Sequence, residues 1–356
     1  YRPLLQQLSR LAGSGGLIHD LIIGRLIGGK VDLEQSLGLL STGIYIPFST
    51  VLPYIISFYL ILGLWEDTGY LPRIAVLVDN MMGKVGLHGF SIIPMILGLG
   101  CNVPAALAVR SLDSRRERFI TSTLMAIAIP CMAQIAMIIG LLGEYGGQYI
   151  FYVFIMLGVV WIGVGLILDK LTIGIRNDLL LEIPSFRIPG PGAVIKKLWV
   201  RVKSFLGEAI PLMLLGIIIV NLLNKIGIFS GLSSVMGEFV NHVFGLPREV
   251  VSVLFMGVIR KDLAMGLLIP LHLTAKQLLI ASTILAVYFP CIATFMVLIR
   301  ELGIIDMIKS LLVMVMTTIS VGAFLHFAFQ GGRIITVGWI FLLLVLIVIS
   351  KLPKLN

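Results

Sequence analysis

The three cysteines of this 356-residue chain all lie in apolar segments beside residues that break helices. Cys101 interrupts the run GLGCNVPAA, whereas Cys131 and Cys291 each follow a proline, in IPCMAQIAMI and FPCIATFMVL. Thiol sulfur, the amide oxygen of Asn102 and carbonyls released at a break suit a borderline divalent metal such as Fe(II) better than Mg or Ca. The same residues also fit proline kinks in which the cysteines are small buried hydrophobes. Residue type alone leaves both interpretations open.

The stretch around Cys101 predicts a broken helix. Pro104 has no amide hydrogen and disfavours helical angles at Val103. We therefore expect one helix to end near residues 97–100 and the next to begin near Pro104. Within lipid an unpaired backbone group is costly, so such a break is tolerated only inside protein or beside a water-filled path.

The composition places these breaks in a membrane. The chain is 58% hydrophobic and 13% charged, whereas soluble domains are about a quarter charged. We expect an all-α polytopic membrane protein with about eight or nine membrane segments, some of them broken or re-entrant. Candidate spanning segments are 44–64, 90–109, 119–142, 149–169, 205–224, 248–270, 277–299, 308–329 and 333–350, with shorter amphipathic stretches at 71–84 and 230–243.

The net charge of +9 is typical here of cytoplasmic loops rich in Lys and Arg, and no nucleic-acid partner is expected. The basic loops are 110–118 and 170–203. Placing both on the cytoplasmic side also places the N-terminus there. The loop 170–203 is the expected docking face for a cytoplasmic partner.

Landmarks that recur at an offset of 158 to 160 positions predict an internal repeat. The two Pro-Cys pairs are 160 apart, and Gly98 and Gly257 are 159 apart. Duplicated units are usual in secondary transporters, whose substrate site lies at the repeat interface. The expected organisation is a cytoplasmic or interfacial lead-in (1–42), a first gate repeat (43–169), a basic loop (170–203), a second gate repeat (204–329) and a C-terminal membrane segment (330–356).

Charged residues mark three further positions. The repeat aligns the Cys101 break with Arg260, Lys261 and Asp262, which either face a polar path or form a short surface loop. Glu66 and Asp67 end the first spanning segment, as a metal-attracting mouth or a solvated helix end. No two of the five histidines have ligand spacing, so we interpret them as structural. No catalytic residue is predicted.

The residues quoted above resemble the membrane part of the ferrous-iron transporter B (FeoB) family. The stretch WEDTGYLPRIAVLVDNMMGKVGLHGFSIIPMILGLGCNVPAALAVRSLDSRRER is similar to its first gate region and YFPCIATFMVLIRELG to its second. The resemblance implies a transporter, not an enzyme, that imports Fe(II) across the plasma (inner) membrane of a bacterium or archaeon. It implies gate cysteines at Cys101 and Cys291 as ion contacts and no permanently bound cofactor.

The match also departs from the family. The segment around Cys131 lacks the family's usual run at this position, so Cys131 is supported by the internal repeat alone. The family's usual N-terminal GTPase domain is not in this sequence. GTP hydrolysis, if coupled, would then reside in a missing domain or separate partner, and a small accessory Feo-type protein is a further possible partner.

Three other functions remain open at this stage. A nucleoside or organic-solute carrier would place polar and aromatic residues at the breaks. A membrane-embedded cysteine enzyme would need a histidine or carboxylate within reach of a thiol. A scaffold subunit would have no path, and Arg260 and Asp262 would simply pair.

Overall fold

The computed structural model describes residues 52–172, 189–203, 228–259 and 267–330, together with single positions at 186, 206, 207, 211, 261 and 264. The predicted lead-in and the segments predicted at 333–350 and over most of 205–224 lie outside these residues. The chain divides into two compact units, Tyr1–Leu64 with Gly190–Gly231 and Trp65–Pro189 with Leu232–Asn356. Within the first unit, the Arg201 guanidinium lies 5.7 Å from the ring centroid of Tyr59.

All elements in the described part are helices. The first half of the chain forms α1 (Leu52–Asp67), α2 (Tyr70–Gly83), a 3-10 turn (Gly89–Ser91), α3 (Ile92–Gly100), α4 (Asn102–Ala108), a second 3-10 turn (Val109–Ser111), α5 (Arg115–Ala128), α6 (Met132–Gly143) and α7 (Gly147–Leu171). The second half forms α8 (Ile228–Phe244), α9 (Val250–Ile259), a 3-10 turn (Ile269–Leu271), α10 (Ala275–Val287), α11 (Ile292–Leu302) and α12 (Ile304–Gln330).

Four stretches of the described residues are long and apolar enough to cross a membrane. They are Arg115–Gly143, Gly147–Leu171, Ala275–Leu302 and Ile304–Ala328. The first and third each join two helices across a Pro-Cys break. The prediction of an all-α multi-pass membrane protein is therefore confirmed, while the total of eight or nine segments stays a prediction.

The helix pattern repeats along the chain. A helix, a Pro-Cys break, a second helix and one long helix occur in that order as α5, α6 and α7, and again as α10, α11 and α12. Each series begins with a hydroxyl cap. The Glu117 amide donates to Ser114 Oγ at 3.0 Å, and the Gln277 amide donates to Thr274 Oγ1 at 3.4 Å. These capping pairs are 160 positions apart, as the Pro-Cys pairs are.

Helices α5 and α10 form the centre of the second unit. Every residue of 119–128 and of 278–287 is buried. The long helix α7 packs against α5 and α10, and α12 packs against the same two helices. The outer helices expose large apolar side chains such as Phe151, Val159 and Leu312. An exposed apolar face of this kind fits a lipid environment.

The helix before Cys101 ends where the sequence predicted, but the next helix begins two residues earlier than predicted. Helix α3 ends at Gly100, α4 begins at Asn102, and Cys101 between them is extended with φ −155° and ψ 132°. Val103 is helical, so the expectation of non-helical angles there was wrong. Pro104 is the third residue of α4, where an amide hydrogen has no partner within the helix anyway. A proline is therefore accommodated inside this first turn.

The buried Arg116 guanidinium joins three segments of the second unit. It donates to the Gly86 carbonyl at 2.9 Å, to Asp169 Oδ1 at 2.5 Å and to the Thr172 carbonyl at 3.1 Å. Gly86 has a φ of +74°, and a Cβ built there would lie 1.9 Å from Asp169 Oδ1. The turn before the 3-10 helix thus depends on glycine for both conformation and space.

We expect Gly86→Ala to lower the free energy of unfolding by about 2–3 kcal/mol, because it strains the backbone and displaces the Asp169 carboxylate. The measurement is the thermal unfolding midpoint of the purified chain in detergent. Gly158→Ala is the control, since a Cβ there meets nothing within 4 Å. An equal midpoint for the two variants would contradict this prediction.

Candidate functional site

Each of the three cysteines is the residue that precedes the first turn of a half-helix. Cys101 precedes α4, Cys131 precedes α6 and Cys291 precedes α11. Cys131 and Cys291 have nearly the same conformation, with φ −73° and ψ 164° in one and φ −61° and ψ 154° in the other. All three are half-buried and free of disulfides. The two Pro-Cys breaks are therefore equivalent in backbone structure as well as in sequence.

Three thiols from distant parts of the chain lie in one region of the fold, although they do not have the spacing of a metal site. Cys101 lies within electrostatic range of both Cys131 and Cys291. Lys261 lies within range of the same two thiols. Helix contacts explain the proximity, since α4 packs on α11 and α6 packs on α10. Four of the predicted site residues thus belong to one cluster, which we call the thiol cluster (Cys101, Cys131, Lys261 and Cys291).

Proline releases backbone carbonyls at the edge of this cluster. In an unbroken helix the amide of residue 290 would donate to the Ala286 carbonyl, but Pro290 has no amide hydrogen. The Lys261 ammonium donates to this carbonyl instead, at 3.1 Å. The neighbouring Leu285 carbonyl accepts from Gln134 Nε2 at 3.4 Å. Both groups come from elsewhere in the unit to satisfy the end of α10.

Gln134 joins the two breaks directly. Its Oε1 accepts a hydrogen bond from the Cys131 amide at 3.0 Å, while its Nε2 reaches the Leu285 carbonyl. The side chain is 1% exposed. At the equivalent position of the second half, Thr294 Oγ1 lies 3.2 Å from Cys291 Sγ. The third position of each half-helix therefore supports its own cysteine.

Asn102 carries an unsatisfied acceptor next to Cys101. The residue is 7% exposed and its Oδ1 has no hydrogen-bond partner. This oxygen points toward Gly98, where a Cβ would lie only 3.2 Å from it. An orphaned buried acceptor costs about 1–3 kcal/mol unless a donor or a cation meets it. Asn102 is thus a place where a cation would be stabilised.

The charges at the breaks would favour a cation only where a thiol is deprotonated. The N-terminus of a helix carries partial positive charge and the C-terminus partial negative charge. A thiolate at the N-terminal position reverses the local sign, and the carbonyls at the end of the preceding helix add to it.

Within the described residues, no three His, Cys, Asp or Glu side chains have the spacing that would hold a metal ion.

The remaining predicted site residues lie elsewhere. Glu66 and Asp67 are half-buried at the end of α1, where the Gly69 amide donates to the Glu66 carbonyl at 3.1 Å. Arg260 and Asp262 lie outside the described residues. Their proposed places at a mouth or on the path stay predictions.

A second buried polar cluster was missed from the sequence. His88 Nε2 lies 3.1 Å from Glu117 Oε1, and Nδ1 lies 3.9 Å from Asp79 Oδ1. The Gly89 amide donates to the same Asp79 oxygen at 2.7 Å. Spacing along the chain could not reveal these contacts, because 29 positions separate His88 from Glu117. The available signal was an acidic residue, Glu117, within a basic loop next to a predicted spanning segment.

These features define a class of protein: an all-helical, multi-pass membrane protein whose spanning helices are broken twice in the same way. The chain belongs to the family described as Gate, nucleoside recognition, whose model matches residues 48–145 and again residues 206–305. The two matches are offset by 158 positions at their starts and 160 at their ends, which confirms the internal repeat. Residues 150–201 match a second model, described as the ferrous iron transport protein B C terminus.

Curated relatives carry the same resemblance. The chain is 32% identical over 244 residues to the Fe(2+) transporter FeoB of Legionella pneumophila, a match that covers 63% of this chain and 32% of the relative. It is 28% identical over 299 residues to the Fe(2+) transporter FeoB of Methanocaldococcus jannaschii, covering 73% and 43%. It is also 32% identical over 237 residues to the Fe(2+) transporter FeoB of Staphylococcus aureus. That match covers 63% of this chain and 34% of the relative. No solved structure matches the chain.

The resemblance to the membrane part of FeoB is therefore confirmed. The chain spans between 32% and 43% of the length of these relatives. Fe(2+) transport is the activity for which those relatives are named.

We expect Gln134→Leu to lower the free energy of unfolding by about 1–3 kcal/mol, because it strands the buried Leu285 carbonyl and the Cys131 amide. The thermal midpoint in detergent measures this loss. Gln148→Leu is the matched control, since Gln148 is exposed at the start of α7. The bridging role of Gln134 is wrong if both variants unfold at the temperature of the parent.

Proposed function

We propose that this chain conducts ferrous iron across a membrane along a path that passes the thiol cluster. The observation that carries the proposal is that the helix breaks at Cys101, Cys131 and Cys291 lie in one packed region, where α4 packs on α11 and α6 packs on α10. Soft sulfur with amide and carbonyl oxygen suits Fe(II). The names of the FeoB relatives support the same cargo.

Along the proposed path, protein ligands replace the water around Fe(II) one after another. Fe(II) must lose water before it passes between packed helices, and each lost water needs a replacement ligand. The orphaned Oδ1 of Asn102 and the thiol of Cys101 are the replacements offered by the first half. The second half offers the thiol of Cys291 and the carbonyls at the end of α10. Cys131 lies beside both halves through the Gln134 bridge.

The surroundings of the path follow from the same proposal. The two gate repeats occupy 43–169 and 204–329 and meet at the path, with the lead-in (1–42), the basic loop (170–203) and the C-terminal segment (330–356) outside it. Glu66 and Asp67 attract cations to the mouth, and Arg260 and Asp262 lie along the path. The protein resides in a plasma membrane with its N-terminus in the cytoplasm, where the basic loop docks a GTPase domain or subunit.

A nucleoside carrier is the second candidate. The family description names nucleoside recognition, and aromatic rings gather at the second break. The ring centroids of Tyr288 and Phe289 are 5.8 Å apart, and those of Phe289 and Phe295 are 6.4 Å apart. Such rings could stack on a base. Uridine uptake separates this function from metal transport.

The decisive experiment is uptake into proteoliposomes that contain the purified chain. We expect Fe(II) to enter under anoxic conditions, and Mn(II), Zn(II) and uridine serve as the comparison solutes. Uptake of uridine without Fe(II) would favour the carrier function. Uptake of neither would overturn both candidates for the chain by itself, and the same assay with an added GTPase partner would then test the complete transporter.

We expect Cys101→Ser and Cys291→Ser each to reduce the rate of Fe(II) uptake by about tenfold, since a hard hydroxyl replaces a soft sulfur ligand. Cys131→Ser tests in the same way the cysteine that is supported by the internal repeat alone. Ser252→Ala, an exposed hydroxyl at the start of α9, is the control for reconstitution. Uptake at the parent rate by the triple serine variant would remove the thiols from the proposal.

We expect Asn102→Leu to lower transport without lowering stability. Removing an unsatisfied buried acceptor leaves the unfolding midpoint unchanged or raises it. Losing the amide oxygen lowers Fe(II) uptake, by about tenfold if the oxygen is a ligand. A variant that is less stable but transports normally would show that Asn102 is a packing residue.

A further inference from the structure

Lys261 is a buried cation in a place where a transported cation would bind. The residue is 5% exposed, and its ammonium donates to the Ala286 carbonyl at 3.1 Å. Charges at membrane depth are costly and are kept where they serve a path or a partner. A carbonyl that needs only a donor could be satisfied by a neutral amide, as Gln134 does for Leu285. The hydrogen bond to the Ala286 carbonyl therefore does not by itself explain why this residue is positively charged.

The groups around the ammonium are of the types that the proposed path offers to a metal ion. It contacts a carbonyl released by Pro290 and lies in electrostatic range of the thiols of Cys131 and Cys291. Sulfur and carbonyl oxygen are the groups that this half of the path offers to Fe(II). Under the proposed function the ammonium and the metal ion therefore compete for the Ala286 carbonyl, which the ammonium already holds.

The two halves of the protein differ at this position in a complementary way. The repeat aligns Lys261 with Asn102, 159 positions earlier. In the first half the position carries an acceptor that has no donor. In the second half it carries a cation that fills an acceptor. The first half is open to an incoming ion, and the second is already occupied by the protein's own charge.

We propose that the Lys261 ammonium is a tethered cation that occupies the Ala286 carbonyl, beside the thiols of the second half, until a divalent metal ion displaces it. This inference rests on the proposed function and adds a selectivity step to it. A divalent ion gains about twice the Coulomb energy of a monovalent ion from the same thiolates and carbonyls. Sodium or potassium therefore displaces the ammonium poorly, and Fe(II) displaces it well.

The test compares metal binding by Lys261→Met, Lys261→Arg and the parent. Co(II) is the probe for the purified full chain, because its coordination by thiolate has a distinct absorption spectrum. Lys261→Met keeps an unbranched side chain and removes the competitor, so we expect Co(II) to bind at least about tenfold more tightly. Lys261→Arg keeps the charge and should bind no more tightly than the parent.

Lys276→Met is the matched control, because it removes the same charge from the exposed start of α10, the helix whose other end Lys261 contacts. Its Co(II) affinity should equal that of the parent. In proteoliposomes, Lys261→Met should also admit sodium faster than Lys276→Met does. Equal Co(II) affinity for Lys261→Met and the parent, or weaker binding by that variant, overturns the tethered-cation role.

A measurement on the unaltered chain covers the case in which Lys261→Met does not fold. Saturating Co(II) should increase the labelling of the Lys261 amine by a small acylating reagent several-fold, as read by mass spectrometry, with Lys276 as the internal reference. Unchanged labelling of Lys261 overturns the inference. A parent that binds no Co(II) and takes up no Fe(II) instead overturns the proposed function, so the two failures are distinguishable.

Discussion

A helix broken inside a membrane must satisfy its freed backbone groups from within the protein, and the second unit of this chain is arranged around that requirement. Pro290 leaves the Ala286 carbonyl without its helical donor, and the end of α10 leaves the Leu285 carbonyl in the same position. Lys261 and Gln134 supply the missing donors, at 3.1 Å and 3.4 Å. Because unpaired carbonyls are so costly in lipid, these two side chains fix where α10 can end and what must lie beside it.

The repeat supplies a common backbone on which the two halves carry different chemistry. Cys131 and Cys291 have matching dihedral angles, and their half-helices begin 160 positions apart. The supporting side chains are not matched, since Gln134 in one half corresponds to Thr294 in the other. Gln134 reaches from the first half to α10 in the second half, whereas the shorter Thr294 contacts the cysteine of its own half. The difference in side-chain length therefore turns a symmetric backbone into a site with unequal halves.

Sequence reasoning succeeded where the signal was local. Proline and glycine placed the breaks, and a fixed offset between landmarks revealed the repeat. It failed at Val103 because a rule for the residue before proline was applied without the rule for the first turn of a helix. It missed the contact between His88 and Glu117 and the reach of Gln134, since both depend on packing between elements far apart in the chain. A polar residue within a predicted spanning segment, Gln134, and an acidic residue in a basic loop, Glu117, were the warnings that the sequence offered.

The placement of each thiol connects the stability of the helix breaks with the proposed transport function. A helix N-terminus is by itself a poor place for a cation, because its amides present positive charge. The end of the preceding helix presents carbonyls a few residues away, and a cysteine between the two can carry the negative charge that tips the balance. Asn102 adds a neutral acceptor to the first half, whereas Lys261 adds a positive charge to the second. Under the proposed function, an ion that enters from the first half would meet the free acceptor of Asn102 before it meets the competing charge of Lys261.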